Sequence, residues 1–270
     1  KSAYFYLGKY NYRKKKWKDA LDWFAKVDIY DLTTDELPEF YFKRGYSYFS
    51  SDKFAEAKKD LYEIKDVDNK YAGAAKYYYA HIAYTEKNYE TALTDFLKLQ
   101  QNETFGPVVP YYIAQIYYLQ GKYNEVITYA PALLDSANTK RAPEIARILG
   151  DSYYHLVKYG DAIPFLKKYE KAAGKLPRGD QYELGYAFYQ VKSYDDAIDY
   201  FTGVTNIDDS LSQNAYYHLG DCYIKTNNKQ NARNAFRQAS LFDTYKQMQK
   251  NAAPHNQENV YPQLNYDKAI

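Results

Sequence analysis

The chain carries almost no sulfur. Its 270 residues include one cysteine and one methionine, so no disulfide forms within the chain and Cys222 is expected to be a small buried hydrophobe. Four histidines, at 81, 155, 218 and 255, are scattered one by one. None has a second ligand at helical spacing, which argues against a metal site. Neither sign of charge dominates: 36 lysines and arginines face 34 acids, for a net charge of +2. That balance gives no broad basic field for nucleic acid. No run of 18 apolar residues occurs, so no transmembrane helix is expected. A glycine loop that could cradle phosphate is missing, and no local motif assembles a nucleophile with its base and orienting group. Acidic pairs such as Asp195–Asp196 and Asp208–Asp209 read as solvated turn or cap residues, and Asp151 with His155 as a surface contact one helical turn apart. No catalytic residue, metal ligand or cofactor is therefore assigned, and an enzyme is not expected.

What the chain does have is tyrosine, 36 residues of it, and one turn that recurs seven times. The turn reads KKWKDA at 15–20, DKFAEA at 52–57, KNYETA at 87–92, GKYNEV at 121–126, VKYGDA at 157–162, KSYDDA at 192–197 and NNKQNA at 227–232, at intervals of 34 to 37 residues. A fixed period of this length marks a solenoid, in which each unit buries its apolar face against its neighbours.

Aligning on the last residue of the turn gives Ala20, Ala57, Ala92, Val126, Ala162, Ala197 and Ala232. Twelve residues upstream lies a small column: Gly8, Gly45, Ala80, Ala114, Gly150, Gly185 and Gly220. Before it stand Leu7, Ile113, Leu149, Leu184 and Leu219, with Arg44 and Tyr79 as departures, and three residues after it Tyr48, Tyr117, Tyr153, Phe188 and Tyr223, with Asn11 and Ala83 as exceptions. Four residues after the alanine column come Phe24, Leu61, Phe96, Ala130, Leu166, Phe201 and Phe236. The spacing of three and four predicts two helices per unit, joined by a short turn. A glycine inside a helix costs about 1 kcal/mol against alanine, so its recurrence implies close approach of the paired helix. The turn aromatics Trp17, Phe54, Tyr89, Tyr123, Tyr159 and Tyr194 are expected to cap the core, with Lys229 breaking the column at the last unit. Pro164 is placed in the first turn of its helix, where it is harmless. Pro131 lies deeper and should kink or shorten the second helix of the fourth unit.

These columns resemble the tetratricopeptide repeat, with an aromatic, L-G and Y on one helix and A then F on the next. The resemblance covers residues 1 to about 239. It implies an all-α, right-handed superhelix of antiparallel helix pairs, with repeats near 1–34, 38–71, 73–105, 107–140, 143–176, 178–211 and 213–239. Residues 240–270 form an extension. Its 246–262 stretch, rich in Gln and Asn and carrying Pro254 and Pro262, is expected to be loosely ordered. NYDKAI at 265–270 matches NYETAL at 88–93 and reads as the start of an eighth repeat. The chain also opens on Lys1 rather than methionine, so a segment of a longer protein, with any leader removed, is expected.

In this family the first helices line the concave face. The positions three before, one after and four after the small column would point into the groove. The ligand-binding candidates are Phe42, Tyr46, Phe49, Tyr77, His81, Tyr84, Tyr111, Gln115, Tyr118, Arg147, Asp151, Tyr154, Tyr182, Tyr186 and Tyr189. They form two aromatic ladders around a mixed polar column. Ideal repeats of the family often carry aromatics at both ladder positions, so the rings are also expected to serve packing. One subset of the family grips a C-terminal carboxylate with a basic clamp. Its matching positions here are Phe5, Lys9, Phe42, Tyr46, Tyr77 and His81, which lack that clamp apart from Lys9. RNA-reading helical repeats of about 35 residues need a basic groove and polar code positions, which are missing. The resemblance therefore implies a non-catalytic scaffold whose partner is an extended peptide or a protein subunit. A glycan stacked on the aromatics is the alternative. By analogy with tyrosine-rich bacterial arrays, a periplasmic or outer-envelope setting is expected.

Overall fold

The computed structural model describes residues 3–136 and 141–252. All regular structure among them is helical. The helices pair in chain order: α1 (Ala3–Arg13) with α2 (Trp17–Phe24), α3 (Glu36–Phe49) with α4 (Phe54–Lys65), and α5 (Ala72–Thr85) with α6 (Tyr89–Lys98). Then come α7 (Val109–Leu119) with α8 (Tyr123–Tyr129), the short α9 (Pro131–Ser136), and α10 (Ala142–His155) with α11 (Tyr159–Ala173). Beyond these, α12 (Arg178–Gln190) pairs with α13 (Tyr194–Val204), and α14 (Ser210–Lys225) with α15 (Lys229–Ala252). The chain forms two compact units that divide between Ala173 and Gly174. Gly174, at φ +74°, is the left-handed residue that stops α11. The first unit holds five helix pairs and the second holds two.

One local device makes every pair. The residue five before the alanine column (Lys15, Asp52, Lys87, Gly121, Val157, Lys192 or Asn227) is left-handed, with φ between 56° and 68°. The next N–H then reaches back over six residues, as in Lys16 N to Asn11 O at 3.0 Å and Asn228 N to Tyr223 O at 2.7 Å, and the same bond closes the other five turns. This is the Schellman arrangement, which satisfies a terminal carbonyl of the first helix and reverses the chain. The turn aromatic then becomes the first residue of the second helix in six pairs, and Lys229 does so in the seventh.

Packing within a pair explains the small column. A methyl group on Gly150 would lie 2.6 Å from Leu166 Cδ2, and one on Gly220 would lie 2.6 Å from the Phe236 ring. The glycine therefore meets the bulky side chain four residues after the alanine column, rather than the alanine itself. Arg44, a departure from the apolar column, forks onto Asp60 of α4 through two hydrogen bonds of 2.7 Å. Asp60 is buried, and the fork satisfies both of its carboxylate oxygens.

Of three local expectations one holds and two change. Pro131 does break its helix: α8 ends at Tyr129 and α9 starts at the proline, because proline has no N–H to continue the ladder. Pro164 lies in the second turn of α11, since that helix begins at Tyr159. It removes one ladder bond opposite exposed Gly160. The stretch 246–262 is helical as far as Ala252, where α15 ends. Lysine, glutamine, methionine and alanine are good helix formers, and the first proline comes only at 254. Residues 253–262, like the NYDKAI match, lie outside the described residues.

Candidate binding face of the first helices

The ladder position nearest the turn is built the same way in six pairs. Tyr12, Phe49, Tyr84, Tyr118, Tyr154 and Tyr189 each pack on the turn aromatic of their own pair, with ring centroids 5.3 to 6.2 Å apart. These rings are all half-buried.

A column missed by the sequence reading locks the ladders between repeats. It lies two residues before the small column and holds Tyr78, Tyr112 and His218. Within the first unit, the Tyr78 ring meets Phe42, Tyr46 and Phe49 at 6.4, 4.9 and 5.0 Å. Tyr112 meets Tyr77, His81 and Tyr84 at 6.4, 5.7 and 5.4 Å, and stacks on Phe96 at 5.0 Å. Within the second unit, His218 repeats the arrangement with Tyr182, Tyr186 and Tyr189 at 6.1, 5.1 and 5.1 Å, stacking on Phe201 at 5.4 Å. Each wedge thus touches all three candidate positions of the repeat before it. The signal in the sequence was weak, because the same column holds Lys43, Ile148 and Glu183 elsewhere.

Other faces of the ladder rings are also occupied. Phe42 stacks on Tyr71 at 5.1 Å and Tyr77 on Phe105 at 4.5 Å. Burial raises the Tyr77 and Tyr84 phenols above their ordinary range. It lowers the His81 imidazole, whose Nδ1 has no hydrogen-bond partner.

The fourth and fifth pairs carry the polar part of the face. Arg147 donates to Glu144 through Nε at 3.1 Å and Nη2 at 2.8 Å, and to Asp151 through Nη1 at 2.9 Å. The Tyr118 hydroxyl donates to Asp151 Oδ2 at 3.0 Å, and burial followed by the Asp151 charge pushes that phenol up to about 12. Gln115 donates to the Tyr111 hydroxyl at 3.1 Å and to Glu144 at 3.2 Å. Burial alone would raise Glu144, but the hydrogen bond and charge of Arg147, with the Gln115 hydrogen bond, together outweigh it and the carboxyl is lowered. Arg147 is therefore neutralised by two acids. In the second unit the Tyr189 hydroxyl donates to Asp221 at 2.8 Å, which repeats the Tyr118–Asp151 bond. The fifteen candidates thus fall into a first-unit set, from Phe42 to Tyr154, and a second-unit set of Tyr182, Tyr186 and Tyr189. Gln115 and Asp151 are buried and the rest are half-buried.

Among the described residues, no group of three or more His, Cys, Asp or Glu is placed to hold a metal ion. No helix among them is long and apolar enough to cross a membrane. Cys222 is buried and unpaired, and burial pushes its thiol up to about 12.

A family model described as tetratricopeptide repeat matches residues 213–250. That match covers the seventh helix pair, and the helix pairs before it share its turn and packing columns. The C-terminal part of a tetratricopeptide repeat-containing protein from Cytophaga hutchinsonii is similar in fold, at 17% identity and a TM-score of 0.60, covering 93% of this chain and 100% of that one. A tetratricopeptide repeat protein from Parabacteroides merdae is similar at 14% identity and a TM-score of 0.52, over 80% of this chain and 88% of its own. MamA of MSR-1 is similar at 19% identity and a TM-score of 0.52, over 66% of this chain and 99% of its own. A search of curated proteins gives no match. A fold of stacked helix pairs of this kind supports protein–protein interaction in general, through the extended surfaces that stacked repeats create.

Proposed function

We propose that the first-helix face of each unit binds an extended polypeptide segment of a partner protein, with the candidates from Phe42 to Tyr154 as the contact set of the first unit and Tyr182, Tyr186 and Tyr189 as that of the second. The observation that carries this reading is the state of the ladder rings. They are half-buried and pinned by neighbouring rings, and their hydroxyls are fixed where Asp151 and Asp221 accept them. A rigid apolar wall with fixed polar points suits side chains of an extended peptide, because little side-chain entropy is lost on binding. Glycan stacking needs open ring faces, and here ring faces are covered by Tyr71, Phe105 and the wedge column. Nucleic acid would need unpaired cations on this face, whereas Arg147 is held by Glu144 and Asp151.

The test is selection from a displayed library of random peptides of about a dozen residues. Enriched peptides should bind the parent chain and lose at least about tenfold in affinity to Tyr84→Ala and Tyr154→Ala variants that keep parental helicity (about 1.4 kcal/mol). Peptides that bind these variants as tightly as the parent would remove the reading. Enrichment of none, with retention of an oligosaccharide, would move it to the glycan class.

A further inference from the structure

We propose that the first helix pair docks onto a second copy of this chain, with the basic turn of each copy seated on the acidic loop of the other. The turn between α1 and α2 is unlike the other six. Residues 13–18 read RKKKWK and hold five lysines and arginines, whereas the equivalent stretches of the other repeats hold one or two. Arg13, Lys14, Lys15, Lys16 and Lys18 are all exposed, and among the described residues no acid lies at ion-pair distance from any of them. Folding of the pair does not account for this gathering. Lys16 is the N-cap of α2 and its side chain makes no capping bond, and cations at the start of a helix oppose its dipole.

The counterpart lies at the other end of α2. The loop to α3 reads DIYDLTTDE over 28–36, with four acids and no cation. Glu36 accepts from Thr33 N at 3.0 Å and Asp28 from Tyr30 N at 3.0 Å, so both have a local role. Asp31 and Asp35 are exposed and make no ion pair among the described residues. Lys26, just before the loop, is turned onto the Trp23 ring at 4.3 Å. Tyr30 is 91% exposed in the middle of these acids. One helix keeps the two clusters apart. α2 has eight residues, which makes it about 12 Å long, more than the screening length of about 8 Å at physiological salt. The turn and the loop of one copy therefore do not neutralise each other. Two copies with α2 reversed set turn on loop at both ends, which is the self-complementary contact of a two-fold dimer. Tyr30 then lies among the lysines of the opposing turn, where a ring beside cations adds attraction. A second copy is favoured over another partner because this chain holds a patch of each sign at the two ends of one rigid element.

The test is sedimentation equilibrium of the full chain, which should show a monomer–dimer equilibrium that weakens as salt rises. Lys14→Glu with Lys16→Glu, and separately Asp31→Lys with Asp35→Lys, should each weaken dimerisation at least about tenfold. All four positions are exposed, and circular dichroism checks that each variant keeps parental helicity. An equimolar mixture of the two variants should associate more tightly than either variant alone, because one of its two contacts then joins a native turn to a native loop. That gain separates a docking surface from a folding defect. A parent chain that stays monomeric at low salt would overturn the proposal. So would variants that dimerise like the parent, or a mixture no tighter than its components. A monomeric parent retained on anionic phospholipid vesicles, and released by Lys14→Glu with Lys16→Glu, would assign the basic turn to a membrane surface instead.

Discussion

Single residues in this array carry costs that the repeat pattern conceals. Val157 sits at φ 60° with its side chain 68% exposed. A β-branched residue is poorly suited to the left-handed region, which costs ordinary residues about 1–2 kcal/mol. Val157→Gly should therefore raise stability by roughly 1 kcal/mol, after the entropy of glycine is allowed for, seen as a higher urea midpoint. An unchanged or lower midpoint would mean that the turn is not strained. His218 gives a pH dependence. Burial holds its imidazole down to about 4, against 6.5 when unfolded, and Asp221 only partly offsets this. Its stabilising contribution is complete above pH 6.5. As pH falls from 6.5 towards 4, the unfolded chain takes up a proton that the folded chain refuses, and stability drops by up to about 3 kcal/mol. His218→Phe keeps the stacking on Phe201 and should flatten that part of the pH–stability curve. Parallel curves for the two proteins would contradict the burial of this ring.

At the scale of the helix, the close contact of paired helices is the sensitive element. Gly150→Ala would gain about 1 kcal/mol in helix propensity, but its methyl meets Leu166 Cδ2 at 2.6 Å and the Leu166 backbone N at 3.1 Å. Overpacking costs typically about 1–3 kcal/mol, so the thermal midpoint should fall. Gly179→Ala, with nothing within 4 Å of the added methyl, should leave it level or raised. This contact also shows what could be read from sequence. Glycine and alanine columns at fixed spacing give the pairs, because close approach tolerates only small residues. The break at Pro131 was legible for the same kind of reason, since one residue type forbids one bond. The left-handed turn was not, as six of its seven positions are filled by Lys, Asp, Val or Asn rather than glycine. Nor was the wedge column: a tyrosine, a histidine, an isoleucine and a lysine share one place, and only the packed structure shows which rings fill the gap between repeats.

The described residues form two units of helix pairs, which divide in sequence between Ala173 and Gly174, and each repeats the same construction of its first-helix face. In the first unit Tyr118 donates to Asp151, and in the second Tyr189 donates to Asp221. Tyr112 and His218 wedge against equivalent rings. Such repetition preserves a surface through divergent sequence, and under the proposed function differences in the column that holds His81, Gln115, Asp151 and Tyr186 would set which peptide each unit takes. The most direct measurement places a photo-activated benzoyl-phenylalanine at Tyr84 or Tyr154 on that face, and at exposed Tyr62 of α4 as a reference, 63% exposed. Cross-linking in extract of the source cells, read by mass spectrometry, should capture one protein through a single extended segment at Tyr84 and Tyr154 and leave Tyr62 without it. Capture at Tyr62 alone would place the working surface on the second helices and contradict the account.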